Sequence, residues 1–119
     1  MIVDCHSHIW PSLSQLGRSK DFSCLGTADA MPAREEQHLE SSGPAEAVLV
    51  LGFRSSLLDA EIPNRFISEY VKAHPDRMIG FAGLDPTTDG NPDELQRLRQ
   101  EDNFAGVVLS PACQGFHPC

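Results

Sequence analysis

Nowhere does this chain hold the about 18 consecutive apolar residues that a membrane-spanning helix requires, so a helical span is not expected. Basic runs are missing too, since 9 Lys and Arg stand against 17 Asp and Glu for a formal net charge of −8. Without a basic patch to neutralise phosphates, a chain of pI near 4.9 is not expected to bind nucleic acid. The start, Met1-Ile2-Val3-Asp4, lacks the basic and apolar regions of a signal peptide, and a cytoplasmic protein is expected. Cys5, Cys24, Cys113 and Cys119 contain no C-x-x-C and none of the spacings of zinc knuckles or disulfide-dense secreted domains. Reduced thiols are therefore expected.

What is present reads as one small globular domain: 119 residues with 40% hydrophobic content, too apolar for a disordered chain. Apolar runs alternate with helical patterns. Ile2 to Ile9 reads as a strand, and residues 10–30, with Pro11, Gly17 and Gly26, as a long loop over its end. Met31 to Ser41 reads as a charged surface helix ended by Ser41-Ser42-Gly43-Pro44. Ala45 to Phe53 is a continuous apolar strand of the kind buried on both faces of a parallel sheet. Phe66, Ile67, Tyr70 and Val71 recur at helical spacing within a helix from Asn64 to His74, which Pro75 stops. Met78 to Leu84 is a third strand. Asn91 as N-cap, Pro92 at the first helical position and Glu94 at the capping-box position announce a third helix, with Leu95 and Leu98 as a narrow stripe. Gly106 to Leu109 is a fourth strand, broken by Ser110-Pro111. The order β-α-β-α-β-α-β predicts a parallel α/β sheet with right-handed crossovers, and four such units are half of a (β/α)8 TIM-like barrel.

The chemistry sits in His6-Ser7-His8, at the end of the first strand. Alternate residues of a strand share a face, so the two imidazoles are expected close together. Such a pair suits zinc or another divalent first-row metal, each ring offering one nitrogen while the other is held by an acceptor. In parallel α/β sheets the C-terminal ends of strands are the edge where sites are built. Two ligands are only half a zinc site. Cys5, out of phase with the pair, is expected to face away as a small buried hydrophobe. Asp4 shares the pair's parity and reads equally as a carboxylate supporting the ligands or as a local hydrogen-bond acceptor.

Three stretches together resemble the amidohydrolase-related family: Ile2-Val3-Asp4-Cys5-His6-Ser7-His8-Ile9-Trp10-Pro11, His74 through Pro86, and Phe104-Ala105-Gly106-Val107-Val108-Leu109-Ser110-Pro111 through Gly115-Phe116-His117-Pro118. This is the branch of the amidohydrolase superfamily that includes aminocarboxymuconate semialdehyde decarboxylase, related aromatic-acid decarboxylases and a number of hydrolases. The resemblance implies a distorted (β/α)8 barrel with a divalent metal, often zinc, at its C-terminal mouth, held in part by His6 and His8. It also implies that the remaining ligands, a histidine from a middle strand and an aspartate from the last strand that serves as general base, belong to residues after Cys119. Residues 1–119 would then be a single partial domain, truncated on its C-terminal side, with no catalytic residue of its own. The fourth strand, Val107-Val108-Leu109, offers no lysine for carboxylation, which implies a mononuclear site in the parent fold.

Several residues carry a choice of readings. Trp10 is read either as the wall of a substrate pocket or as plain core. Arg54, just past the second strand, is a candidate for a substrate carboxylate because a guanidinium fork matches that group. His117, in the loop after the fourth strand, is read as a surface or substrate-contact histidine, with a stand-in metal ligand as the alternative. His74 ends a helix, where an imidazolium favours the local dipole, and Asp85-Pro86 reads as a turn. The expected activity is hydrolysis or non-oxidative decarboxylation of a small carboxylated, lactone or amide substrate. One alternative is an inactive half-barrel that self-associates through its open edges. Another is a different His-x-His barrel acting on phosphate esters, such as the TatD-like nucleases or the polymerase-and-histidinol-phosphatase family.

Overall fold

A computed structural model describes residues 1–21, 33–89, 92–100 and 102–118. Its centre is a four-stranded, all-parallel sheet of β1 (Val3–Ser7), β2 (Ala47–Leu51), β5 (Met78–Gly83) and β6 (Gly106–Val108), in that spatial order. The strands lie side by side in the order in which the chain makes them, with no reversal. Three helices lie along the connections: α1 (Glu35–Ser41), α2 (Asn64–Ala73) and α3 (Pro92–Gln100). The apolar stripe of α2 places Ile67, Tyr70 and Val71 in the core with Phe66 packed against it. Ile67 is fully enclosed, and burying such a side chain contributes about 2 kcal/mol. In α3, Leu98 is buried while Leu95 stays exposed, and the N-cap expected at Asn91 lies outside the described residues.

The sheet is lopsided. Val48, Val50, Met78 and Ala82 alternate onto the face that meets the helices and are buried. A Cβ on Gly80, which shares that face, would meet Phe104 and Val71 at 3.0 and 3.3 Å. On the opposite face Ile79 is exposed, while Leu49, Phe81 and Val108 are half-buried.

Several expectations are corrected. The stretch Ala45 to Phe53 is not one strand: β2 ends at Leu51, the chain turns at Gly52, and Phe53–Ser55 (β3) pairs antiparallel with Ala60–Ile62 (β4) in a separate hairpin. Residues 10–30 are not wholly loop, because two short 3-10 turns within Leu13–Asp21 meet at Gly17; residues 22–30 lie outside the described residues. Gly17 has φ of 53°, and a side chain there would strike the Asp59 and Leu58 carbonyls. The first helix, α1, starts at Glu35, with residues 33–34 outside it and Met31 outside the described residues, and it is not purely a surface helix, since His38 is buried. A further helical turn, α4 (Pro111–Gln114), follows β6. No helix among the described residues is long and apolar enough to cross a membrane.

Candidate metal centre

β1 does not run as a regular strand. Asp4 pairs with Val48 and Ser7 with Val50, so two residues of β1, Cys5 and His6, stand opposite the single residue Leu49. This is a β-bulge, and it resets which side chains share a face. The Asp4 carboxylate accepts the His6 N–H at 3.1 Å across the bulge. Ser7, two ladder pairs from Asp4, turns towards α1 and the helices. Regular alternation, on which the sharing of a face by Asp4 and the histidines rested, therefore fails. Cys5 is exposed rather than buried, because the bulge lifts it off the ladder.

The histidine pair itself converges. His6 Nε2 lies 3.2 Å from His8 Nε2, with the ring centroids 5.1 Å apart and the planes at 73°. His8 Nδ1 donates to the Leu51 carbonyl at 2.8 Å, which fixes its proton on Nδ1 and leaves Nε2 with a free lone pair. Burial lowers the His8 pKa below its ordinary value; the Leu51 hydrogen bond opposes this and the neighbouring His6 adds to it. His8 is thus a neutral, oriented donor, and His6 an exposed one. Tetrahedral zinc with Zn–N of about 2.05 Å sets adjacent nitrogens roughly 3.3 Å apart. The pair fits such an ion. Among the described residues no group of three His, Cys, Asp or Glu side chains is placed to hold a metal.

Behind the pair lies a chain of hydrogen bonds that the sequence did not reveal. Ser7 Oγ donates to the Leu49 carbonyl at 2.8 Å, so it must accept from His38 Nε2 at 2.9 Å. His38 Nδ1, left as acceptor, takes the Tyr70 hydroxyl proton at 2.7 Å. Burial lowers the His38 pKa, with Asp4 raising it and Arg77 lowering it further, while burial pushes Tyr70 up to about 12 and keeps it a donor. Every member is satisfied with His38 neutral, and Ser7, between the two converging histidines, is thereby tied to α1 and α2. A depressed pKa means that the unfolded chain binds its proton first. The stability His38 contributes is therefore complete above about pH 6.5 and falls as pH drops through the folded value. Urea unfolding should show a lower midpoint at about pH 5 than at about pH 7.5, and Tyr70→Phe should cost about 1–2 kcal/mol at the higher pH. A midpoint unchanged or raised in acid would count against this neutral chain.

The other candidates are placed apart from the pair or are otherwise engaged. Arg54, in β3, gives its Nη1 to Asp89 at 3.2 Å. Trp10 is half-buried against the core, and its indole Nε1–H has no acceptor among the described residues. His117 is exposed beyond α4. His74 ends α2 as expected, edge-on to Tyr70 at 5.1 Å. Asp85 begins the expected turn but is also completely buried. Its carboxylate accepts the Ser56 N–H at 2.7 Å and, from Thr87, the N–H at 3.0 Å and the hydroxyl at 2.6 Å.

Comparison with known proteins matches the chain to no family model, no curated protein and no solved structure.

Proposed function

We propose that this chain is the N-terminal part of a metal-dependent enzyme of the amidohydrolase type, its sheet forming half of a (β/α)8 barrel. The reaction is hydrolysis or non-oxidative decarboxylation of a small carboxylated, lactone or amide substrate. One observation carries the reading: two imidazole Nε2 atoms 3.2 Å apart at the C-terminal end of β1, one of them already oriented by a backbone carbonyl. The unreversed strand order supports it, because a barrel needs neighbouring strands to follow one another around the sheet.

Zinc or a similar divalent ion held there supplies Lewis-acid polarisation of a substrate carbonyl or carboxylate. His8 and His6 would hold the ion through Nε2, and the Leu51 carbonyl keeps His8 from turning away. The Ser7–His38–Tyr70 chain stiffens the segment between the two ligands. Trp10, two residues on, packs its apolar body against the core and buries its indole N–H, so it supports the end of β1. Arg54 meets a substrate carboxylate only in competition with Asp89.

Zinc or cobalt titration, read by metal content and by the cobalt absorption spectrum, tests the reading. His8→Ala should weaken binding roughly 100-fold and His6→Ala by a similar factor. Equal affinity in the wild type and in a variant lacking both imidazoles would remove the basis of the proposal.

A further inference from the structure

The β1 bulge decides which face of the sheet the two histidines occupy. Residues paired directly across neighbouring strands put their side chains on the same face, and Val48 and Val50, both fully buried, face the helices. Asp4 stands opposite Val48, so an unbroken ladder would set His6 opposite Val50 and turn both histidines into the helix-side core. The observed ladder sets Ser7 opposite Val50 instead. His6 and His8 are thereby left on the other face, where their Nε2 atoms meet at 3.2 Å. One extra residue separates an accessible pair from a buried one.

We propose that His38 is a positioning residue for the pair: acting through Ser7, it locks β1 in the bulged register and so keeps His6 and His8 out of the helix-side core. The inference deepens the metal-enzyme reading above and rests on it for the use made of the pair, while the register itself is set without metal.

What fills the place opposite Val50 carries the argument. Ser7 Oγ donates to the Leu49 carbonyl at 2.8 Å and accepts the His38 Nε2–H at 2.9 Å. Leu49 is the residue that faces both bulge residues, so the hydroxyl closes the ladder at the point where the bulge opens it. His38 is itself pinned from behind, because the Tyr70 hydroxyl occupies its Nδ1 at 2.7 Å and both rings are buried. Only the Nε2–H remains to be satisfied, and Ser7 is its acceptor.

In the unbroken register the Ser7 hydroxyl would swing to the far face. A buried N–H would lose its acceptor, and the His6 imidazole would be crowded into space that now holds a hydroxymethyl group. Folded proteins rarely leave a buried donor unpaired, so the His38 N–H favours the bulge. The remaining bonds complete that geometry: Asp4 takes the His6 N–H at 3.1 Å inside the bulge, and the Leu51 carbonyl orients the His8 ring.

Cross-strand nuclear Overhauser effects in the metal-free protein read the register, and zinc titration of the same samples reads its effect on the pair. In the wild type they should link Ser7 to Val50. Ser7→Ala and His38→Leu should bring His6 into contact with Val50 and weaken zinc binding roughly tenfold or more. Ser7→Thr keeps the hydroxyl and His38→Gln keeps an N–H donor, so both should hold the bulged register and bind zinc as the wild type does. Should Ser7→Ala fail to fold, His38→Leu, which fills the same buried site with an apolar side chain, gives the reading. Folded Ser7→Ala and His38→Leu proteins that retain the bulged register would overturn the lock, whatever their zinc affinity, and leave the metal-enzyme reading standing. A wild type that binds no zinc, with variants that still slip to the unbroken ladder, would overturn the metal-enzyme reading and leave the lock standing.

Discussion

Gly83→Ala is expected to destabilise the protein by about 3 kcal/mol or more, a large share of the about 5–15 kcal/mol that holds a domain folded. The last residue of β5 lies under the chain that leaves β2. A Cβ at Gly83 would stand 2.5 Å from the Phe53 nitrogen and 2.8 Å from its Cα and carbonyl carbon. All three are backbone atoms, so no rotamer change relieves the clash. Gly52 is the reciprocal case, because a side chain there would strike the Gly83 nitrogen. The two glycines let the turn between β2 and β3 cross closely over the end of β5.

Asn64 secures the same crossing. Its side-chain amide donates to the Gly83 carbonyl at 3.0 Å and accepts the Gly83 N–H at 2.8 Å, as a neighbouring strand would. The consequence reaches the histidine pair. Leu51, whose carbonyl orients His8, precedes Gly52, so pushing the crossing apart displaces the acceptor that fixes the His8 tautomer. Partly folded Gly83→Ala protein should therefore also bind zinc more weakly. Thermal unfolding followed by circular dichroism checks the first effect. A melting temperature within a few degrees of wild type would show that the crossing has room to yield.

The sheet was legible where one kind of signal dominates. The apolar run around Ala47–Leu51, the stripe of α2 ended by Pro75, and Met78–Gly83 and Gly106–Val108 bounded by turn residues all lie within a residue or two of their expected positions. The hairpin β3–β4 was not legible, because its three-residue strands are too short for alternation to register. The bulge in β1 escaped for another reason: period-two reading assumes a regular ladder, and one extra residue leaves no mark in the hydrophobic pattern. His6, within the bulge, and His8, beyond it, still converge, whereas Cys5, the other bulge residue, does not behave as alternation requires. His38 sits among Glu35, Glu36, Gln37 and Glu40, and that polar setting conceals a buried residue whose partners, Ser7 and Tyr70, are 31 and 32 positions away. Long-range polar pairing of that kind has no local signature. The Asp85-Pro86 turn was visible as a turn, while the burial of its carboxylate follows from Ser56 and Thr87 closing over it.

Asp85→Ala is expected to cost about 3 kcal/mol at neutral pH, because three donors that now meet a carboxylate would be left inside the fold. Ser56 N–H, Thr87 N–H and the Thr87 hydroxyl converge on it, tying the turn after β3 to the loop after β5. Its own N–H is given to Asp89 Oδ2 at 3.0 Å, the oxygen that also receives Arg54 Nη1. Burial opposes ionisation of Asp85, yet the hydrogen bonds from Thr87 and Ser56 prevail and hold its pKa at about 2. A carboxyl depressed in the folded state contributes stability that is fully present above the unfolded value of about 3.9 and is lost as pH falls through about 2. Wild type should accordingly lose stability between about pH 4 and pH 2 more steeply than Asp85→Asn, which has no carboxylate there to protonate. Because Arg54 is fixed by the same loop, Asp85→Asn also frees the Arg54–Asp89 pair to move, and a proteolytic cut near residues 56–59 should become faster. Parallel acid-unfolding curves for wild type and variant would mean that the buried carboxylate is no more stabilised in the folded protein than in the unfolded chain.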